Sequence, residues 1–342
     1  MTLIVSKSGT LHGTDEHDWK WWHEQVPIKL GKLHREGHQI VIVSNQGRLT
    51  KNGKEAPEAQ LFKRKMELVM KELGIPTIVM VACANDICRK PRVGMWSLLG
   101  GLLRSTNIVA SQSFVVGDAA GREKDYSDID RHFAMNLGIG FYTPETLFID
   151  EPPEELGHKF DPSWNLSGSR RNEHPIIDIR DPWPPSRIIM LVGLPGAGKT
   201  TYYHHSLMDS GYHRVAPAAW SDQGTCIDDV HKLLAEGKSF FATLDDINID
   251  AKSRKEWLAV AQEHDLRIIA MRFTASTELC LHNDSFRALA GTQYNPEQRP
   301  IYPRLPFLGL VSTYERPTTS EGFQQIIDVE FEVSLNLTQH AL

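Results

Sequence analysis

The segment Gly193-Leu194-Pro195-Gly196-Ala197-Gly198-Lys199-Thr200 places glycines, a lysine and a hydroxyl at the spacing G-x-x-x-x-G-K-T. Glycines at this spacing let backbone N–H groups turn inward around a phosphate chain. The lysine ammonium then reaches the terminal phosphates and the threonine hydroxyl holds Mg²⁺, the arrangement of a P-loop. The expected contacts to Mg-ATP are Gly193, Gly196, Ala197, Gly198, Lys199, Thr200 and Thr201, with Thr200 a ligand of the metal. A glycine turn without a ligand matches the same pattern, and the flanks argue against it. Ile188-Ile189-Met190-Leu191-Val192 predicts a buried strand entering the loop, and Thr201-Tyr202-Tyr203-His204-His205 predicts a helix leaving it, whose dipole favours phosphate. The motif defines a phosphate donor site and leaves the acceptor open.

A second candidate is Asp118, directly after the apolar run Ser113-Phe114-Val115-Val116-Gly117. Parallel α/β sheets collect their functional groups at the C-terminal ends of strands, where this carboxylate falls. Asp128 and Asp130 follow, and either serves equally as a cap for a helix beginning near Arg131.

The elements that must position these groups can be read from periodicity. A helical pattern from Val26 through His34 runs into the strand-like Gln39-Ile40-Val41-Ile42-Val43-Ser44. An amphipathic stretch from Leu61 to Leu73 meets Gly74-Ile75-Pro76 and a second strand, Thr77-Ile78-Val79-Met80-Val81-Ala82. Helices alternating with short apolar strands predict a parallel α/β sheet. Between about Ile149 and Arg187 the pattern gives way to Pro, Gly, Ser and charge, as in Pro182-Trp183-Pro184-Pro185. The expected organisation is two parallel-sheet α/β domains, residues 1–148 and 187–342, joined by a linker over 149–186.

Composition agrees with this division. A chain of 342 residues accommodates two cores, and 41% hydrophobic with 23% charged residues is ordinary for a globular protein. No apolar run reaches the roughly 18 residues that span a bilayer, and the N-terminal run is too short for a signal peptide, so an intracellular protein is expected. Cys83, Cys88, Cys226 and Cys280 form no Cys-x-x-Cys pair and are expected as free thiols. A net charge of −6 confines any nucleic-acid contact to a local groove. Lys51, Lys54, Lys63, Arg64 and Lys65 are expected as solvated charges, Trp19, Trp21, Trp22 and Trp96 as packing, and His204 and His205 as structural.

Several segments together resemble the polynucleotide kinase/3′-phosphatases. They are Asp18-Trp19-Lys20-Trp21-Trp22, Ile42-Val43-Ser44-Asn45-Gln46-Gly47, Arg89-Lys90-Pro91 and Gly117-Asp118-Ala119-Ala120-Gly121-Arg122, followed by the P-loop in that order. The resemblance implies a haloacid-dehalogenase-type (HAD-like) phosphatase domain followed by a P-loop NTPase kinase domain. It also implies action on DNA strand-break ends, hence a nuclear location. It implies that Ser44 hydrogen-bonds the transferring phosphoryl group, Lys90 neutralises it and Asp118 helps hold Mg²⁺. The family's Asp-x-Asp nucleophile motif precedes a segment like Ile4-Val5-Ser6-Lys7-Ser8-Gly9, whereas this chain starts at Met1-Thr2-Leu3. The expectation is that these residues lack 3′-phosphatase activity, through either a late start or genuine shortening.

The kinase half departs from the family pattern too. Ala216-Pro217-Ala218 stands where the resemblance places the general base, with Asp222 a nearby substitute, and Asp245 retains an acceptor-side carboxylate. Ser285 stands where a lid arginine is expected, with Arg287 close by. Weak or absent 5′-hydroxyl kinase activity is therefore expected. The competing expectations are a scaffold that binds nucleotide or DNA ends without turnover, and a P-loop kinase acting on a small metabolite.

Overall fold

A computed structural model describes residues 2–10, 13–51, 53–103, 108–157, 160–162, 187–215, 223–238, 240–243 and 248–331. The chain forms two compact units, Met1–Phe160 and Asp161–Ala341. No helix among the described residues is long and apolar enough to cross a membrane.

Unit 1 contains β1 (Ile4–Val5), β2 (Lys20–Trp21), α1 (Gln25–Arg35), β3 (Ile40–Asn45), β4 (Thr50–Lys51), β5 (Lys54–Glu55) and α2 (Pro57–Leu73). These are followed by β6 (Thr77–Ala82), α3 (Gly94–Leu102), β7 (Phe114–Val116), α4 (Ile129–Leu137), β8 (Gly140–Tyr142) and α5 (Pro144–Phe148). Local chemistry sets several of these boundaries. Pro57 occupies the first turn of α2, where its missing N–H costs nothing, and Gly74 ends that helix at φ +71°. Between them Met66, Val69 and Leu73 recur at helical spacing and are buried. The helix begins four residues before the amphipathic pattern does.

Strands β3 and β6 pair in parallel from Ile40↔Thr77 to Asn45↔Ala82, and β7 and β8 pair in parallel from Phe114↔Gly140 to Val116↔Tyr142. The parallel sheet expected here is thus present as two separate pairs, with no hydrogen-bonded ladder between β3 and β7 among the described residues. Most residues of β3 and β7 are only half-buried, despite their apolar sequences, because each has a strand neighbour on one side. Trp19 is buried and stacks edge-on against Trp21 with ring centroids 5.5 Å apart, and the Trp21 indole N–H donates to Glu72. These tryptophans are packing residues. Lys65 is buried on α2, so it is not the solvated charge that helix-surface density suggested. Part of the expected linker is attached to unit 1: Lys29 pairs with Asp150, and Arg131 donates to the Leu156 and Gly157 carbonyls at 3.0 Å.

Asp18 closes the loop ahead of β2. Its carboxylate accepts from the Ser8 N–H at 2.8 Å and hydroxyl at 2.5 Å, and from the Thr14 N–H at 2.7 Å. The Ser8 hydroxyl foremost, then these N–H groups, hold its pKa far below the usual carboxylate range. Because the folded value is depressed, the stabilisation is complete above the unfolded pKa of about 3.9 and fades as pH falls below it. Asp18→Asn is expected to lower the thermal midpoint of unit 1 at pH 7, with the gap to wild type narrowing at pH 3. A gap independent of pH sinks this assignment.

Unit 2 contains β9 (Arg187–Val192), α6 (Lys199–Tyr202) continuing as a π-helical turn (Tyr203–Leu207), β10 (His213–Val215), α7 (Gln223–Ala235) and β11 (Phe240–Thr243). After these come α8 (Ala251–Glu263), β12 (Arg267–Phe273), α9 (Thr277–Leu289), α10 (Arg304–Thr313) and β13 (Gln325–Val329). The strands form one parallel sheet in the order β10-β11-β9-β12-β13. Alternation along the central strands splits the core. Ile188, Met190, Val192, Ile268 and Ala270 pack on one face with Trp257, while Ile189, Leu191, Met271 and Phe273 pack on the other with Phe307. Strand β9 therefore reads as a continuous apolar run, as a strand buried on both faces must. Helices α8 and α9 start on side-chain caps, Asp250 accepting from Ser253 N–H and Ser276 from Leu279 N–H.

Candidate functional site

The loop of residues 193–198 leaves the C-terminal end of β9, between the neighbouring strands β11 and β12. Its tight curvature depends on glycine. At Gly196, φ is +82° and a Cβ would lie 2.1 Å from the Cys280 carbonyl oxygen, so α9 packs directly on the loop. Asn283 of the same helix donates to the Gly196 carbonyl at 3.0 Å. Ala197 is a core residue, fixing the loop from below. Lys199 is 5% exposed, and its ammonium donates to the Gly193 carbonyl at 2.5 Å and the Leu194 carbonyl at 3.0 Å. The loop is therefore wrapped around its lysine, with Thr200 half-buried and Thr201 exposed. Burial pushes the adjacent Cys280 thiol up to about 11, leaving it a neutral wall of this site.

On α9, Asp284 is buried and accepts from Arg287 at 2.5 Å and from the Tyr302 N–H at 2.7 Å. Arg287 is thereby held on its own helix. Asp245, Asp222 and the segment Ala216-Pro217-Ala218 lie outside the described residues.

In unit 1 the C-terminal end of β3 and the first turn of α4 meet at Lys90. Its ammonium donates to the Val43 carbonyl at 2.9 Å and to Asp130 Oδ1 at 2.7 Å. The backbone of Lys90 is clamped by Asn45, whose Oδ1 accepts from the Lys90 N–H at 2.9 Å and whose amide donates to the Lys90 carbonyl at 3.0 Å. Ser44, between Val43 and Asn45, accepts from the Gln46 amide at 2.9 Å. Asp118 follows β7 and accepts from the Thr2 hydroxyl at 2.6 Å. Gly117 is required beside it, because a Cβ there would lie 2.4 Å from Asp130 Cβ. Arg122 braces the loop by pairing with Asp125 and Glu145 at 2.9 Å each. Burial works to raise the Asp125 carboxyl, but hydrogen bonds from Arg122 and Ala120 outweigh it and hold the pKa below its ordinary value.

Unit 1 thus holds an ammonium against a carboxylate at Lys90 and Asp130, with the Ser44 hydroxyl in β3 and the Asp118 carboxylate after β7. Unit 2 holds a glycine loop wrapped around a lysine.

The family described as "Polynucleotide kinase 3 phosphatase" matches residues 1–148. Over 341 residues, covering 97% of this chain and 78% of the relative, the chain is 33% identical to the bifunctional polynucleotide phosphatase/kinase of Schizosaccharomyces pombe. The chain belongs to the polynucleotide phosphatase/kinase family. It is also 26% identical over 366 residues to a putative bifunctional polynucleotide phosphatase/kinase of Acanthamoeba polyphaga mimivirus, covering 96% of this chain and 82% of that protein. A polynucleotide 3′-phosphatase of Arabidopsis thaliana is 35% identical over 144 residues, 38% of this chain and 21% of that protein.

Within this polynucleotide phosphatase/kinase chain, Ser44 lies in β3, Lys90 in the segment between β6 and α3, and Asp118 two residues after β7. Asp128 and Asp130 differ in their surroundings. Asp128 is the N-cap residue of α4 without a side-chain cap bond, and Asp130 is the partner of Lys90. The only sequence signal for this was the Ser127-Asp128-Ile129-Asp130 spacing.

The Lys90–Asp130 pair is buried, with side chains 13% and 9% exposed. Lys90→Ala is expected to destabilise unit 1 by about 2–3 kcal/mol, because Asp130 loses its counter-ion. Adding Asp130→Asn should recover most of that loss. Urea unfolding of the two variants tests this, and a double variant no more stable than Lys90→Ala refutes the coupling.

Proposed function

We propose that this chain processes nucleic-acid strand ends at DNA breaks, binding Mg-ATP in unit 2 and a terminal phosphate in unit 1. In this reading 5′-hydroxyl phosphorylation is slow and 3′-phosphates are retained, Asp118 and Asp130 being engaged by Thr2 and Lys90. The observation that carries it is the Lys199 ammonium enclosed by its own loop at the end of central strand β9. A cation held on backbone carbonyls inside a ring of glycines is placed to exchange those acceptors for phosphate oxygens. The loop N–H groups of Gly196, Ala197 and Gly198, with those of Thr200 and Thr201, would cradle the phosphates. The Thr200 hydroxyl would hold the Mg²⁺. Mg-ATP supplies the transferable γ-phosphoryl group when bound.

The acceptor side supports a slow rate. Ser285 occupies the lid position where the family resemblance expects an arginine, and Arg287 is engaged by Asp284. Loss of a positioned general base costs about 10²–10⁴-fold. In unit 1, Lys90 and Ser44 would hold the phosphoryl oxygens. Asp118 would contribute to Mg²⁺ binding in this HAD-like frame. Asp118 and Asp130 are engaged by Thr2 and Lys90, which argues against either as a nucleophile. Action on DNA breaks places the protein in the nucleus.

The deciding experiment incubates the purified chain with Mg-ATP and a DNA oligonucleotide bearing a 5′-hydroxyl and a 3′-phosphate, following each end separately. Slow 5′-phosphorylation with the 3′-phosphate retained is the expected result. Rapid release of 3′-phosphate contradicts the reading of unit 1. ATP binding with no change at either end favours an end-binding scaffold, for which the engaged Arg287 and Asp118 already speak.

A further inference from the structure

Helix α7 and the C-terminal end of α8 bring two imidazoles and a carboxylate together on the surface of unit 2. His231 Nδ1 lies 3.0 Å from His264 Nε2, with ring centroids 5.0 Å apart and planes inclined at 56°. Glu263 Oε1 is 4.0 Å from the same His264 nitrogen, and the three ligand atoms lie within 4.8 Å of one another. We propose that His231, Glu263 and His264 form a Zn²⁺ site that clamps α7 to the α8–β12 turn.

The donor set selects the metal. Imidazole nitrogens suit zinc, whereas Mg²⁺ takes oxygen ligands and retains its waters, so this is not a second site for the nucleotide's cation. The spacing also fits. Two bonds of about 2.0–2.1 Å at a tetrahedral angle separate their donor atoms by about 3.3 Å. The imidazole nitrogens need to part by only a few tenths of an ångström, and Glu263, an exposed side chain, needs to swing inward by at most about 1.5 Å. Without an ion, one of the two facing nitrogens must carry a proton for the other to accept, which forces one tautomer. An ion replaces that single hydrogen bond with two coordinate bonds to neutral rings. Water would complete the fourth position.

The ligand backbones are fixed before any ion arrives. Val230, next to His231, and Val260 and Ala261 in the last turns of α8 all belong to the core. The His264 N–H donates to the Val260 carbonyl at 3.2 Å and the Leu266 N–H to the Ala261 carbonyl at 2.8 Å. The position is equally informative. Strand β12 begins at Arg267, just after His264, and runs parallel to β9 from Arg267↔Arg187 to Arg272↔Val192. The cluster therefore sits at the opposite end of the sheet from the P-loop. An ion here acts on the fold and takes no part in phosphoryl transfer.

The test uses the full, untagged chain, reduced and freed of metal by chelation. Calorimetric titration with Zn²⁺ should show one equivalent bound, accompanied by a higher thermal midpoint. His231→Ala and His264→Ala should each weaken that binding by at least about tenfold. A His204→Ala/His205→Ala variant should bind as wild type does, although its histidines lie in the same unit. Thermal midpoints in chelator establish that each variant folds. Because Cys83, Cys88, Cys226 and Cys280 are free thiols, Co²⁺ substitution provides the second readout. Nitrogen and oxygen ligation gives visible d–d bands without thiolate charge-transfer absorption. Equal zinc uptake by wild type and His231→Ala, thiolate bands in the cobalt spectrum, or no saturable uptake by wild type overturns the site. The last of these outcomes leaves the pair as a hydrogen bond between two imidazoles.

Discussion

Replacing Arg254 with methionine is expected to destabilise unit 2 by about 3–5 kcal/mol, the cost of breaking a buried ion pair from one side. Arg254 is fully buried on α8. Its Nε and Nη2 meet the two oxygens of Glu321 at 2.8 and 3.0 Å, and Nη1 donates to the Glu315 carbonyl at 2.9 Å. Methionine fills much of the volume and satisfies none of these acceptors. Burial tends to raise the Glu321 carboxyl, but the Arg254 hydrogen bonds outweigh it and hold the pKa below its ordinary value. The pair therefore contributes fully above the ordinary glutamate pKa and weakens as pH falls below it. For a unit of this size the loss corresponds to a fall of about 10 °C in thermal midpoint. Calorimetry should show the unit 2 transition moving while that of unit 1 stays. An Arg254→Met/Glu321→Leu double variant should regain most of the stability, since a buried pair replaced by apolar residues is often neutral. An unmoved transition in the single variant contradicts the account.

Lys199→Ala is expected to reduce ATP-dependent 5′-phosphorylation by about 10²–10³-fold, the scale for removing one preorganised donor from a developing charge. Stability should fall as well, but by less. The lost contacts are to the Gly193 and Leu194 carbonyls, and leaving such acceptors without this donor costs roughly 1–3 kcal/mol. The two effects separate experimentally: end-labelling rates collapse while the thermal midpoint shifts modestly. Lys199→Arg should fail to restore activity, because a planar guanidinium does not reproduce a compact ammonium enclosed between the Gly193 and Leu194 carbonyls. Phosphorylation unchanged in Lys199→Ala removes the P-loop from the reaction.

What the amino-acid sequence revealed was whatever is local. The P-loop is eight consecutive residues whose strand and following helical turns are also adjacent, and it is found at the end of β9 as expected. Strand β6 was legible to the residue because an apolar run bounded by Gly74 and Pro76 leaves little freedom. The start of α2 was missed because its signal is a single proline in the first turn, ahead of the amphipathic pattern. The paired groups were hidden for a different reason. Lys90 and Asp130 are 40 residues apart, Arg254 and Glu321 are 67 apart, and His231 and His264 are 33 apart. No periodicity connects such positions. His204 and His205 are adjacent and visible as a pair in the sequence, whereas the facing imidazoles lie on α7 and at the end of α8.

The division of unit 1 into the pairs β3–β6 and β7–β8 has a consequence for the protein in bulk. Among the described residues, each pair presents backbone N–H and C=O groups along strands with no ladder on their outer side, beside apolar residues such as Val41, Val43 and Val115. Such edges accept any extended chain of matching length, including the same strand of another copy. In unit 2, by contrast, β9, β11 and β12 are paired on both sides and the edges are β10 and β13. With all four strands of its two parallel pairs at an edge, unit 1 should be the main route of self-association in concentrated or gently heated protein. Amides of β3 and β7 should exchange with solvent hydrogen well before those of β9. A short peptide that seats on those edges should keep the protein in solution.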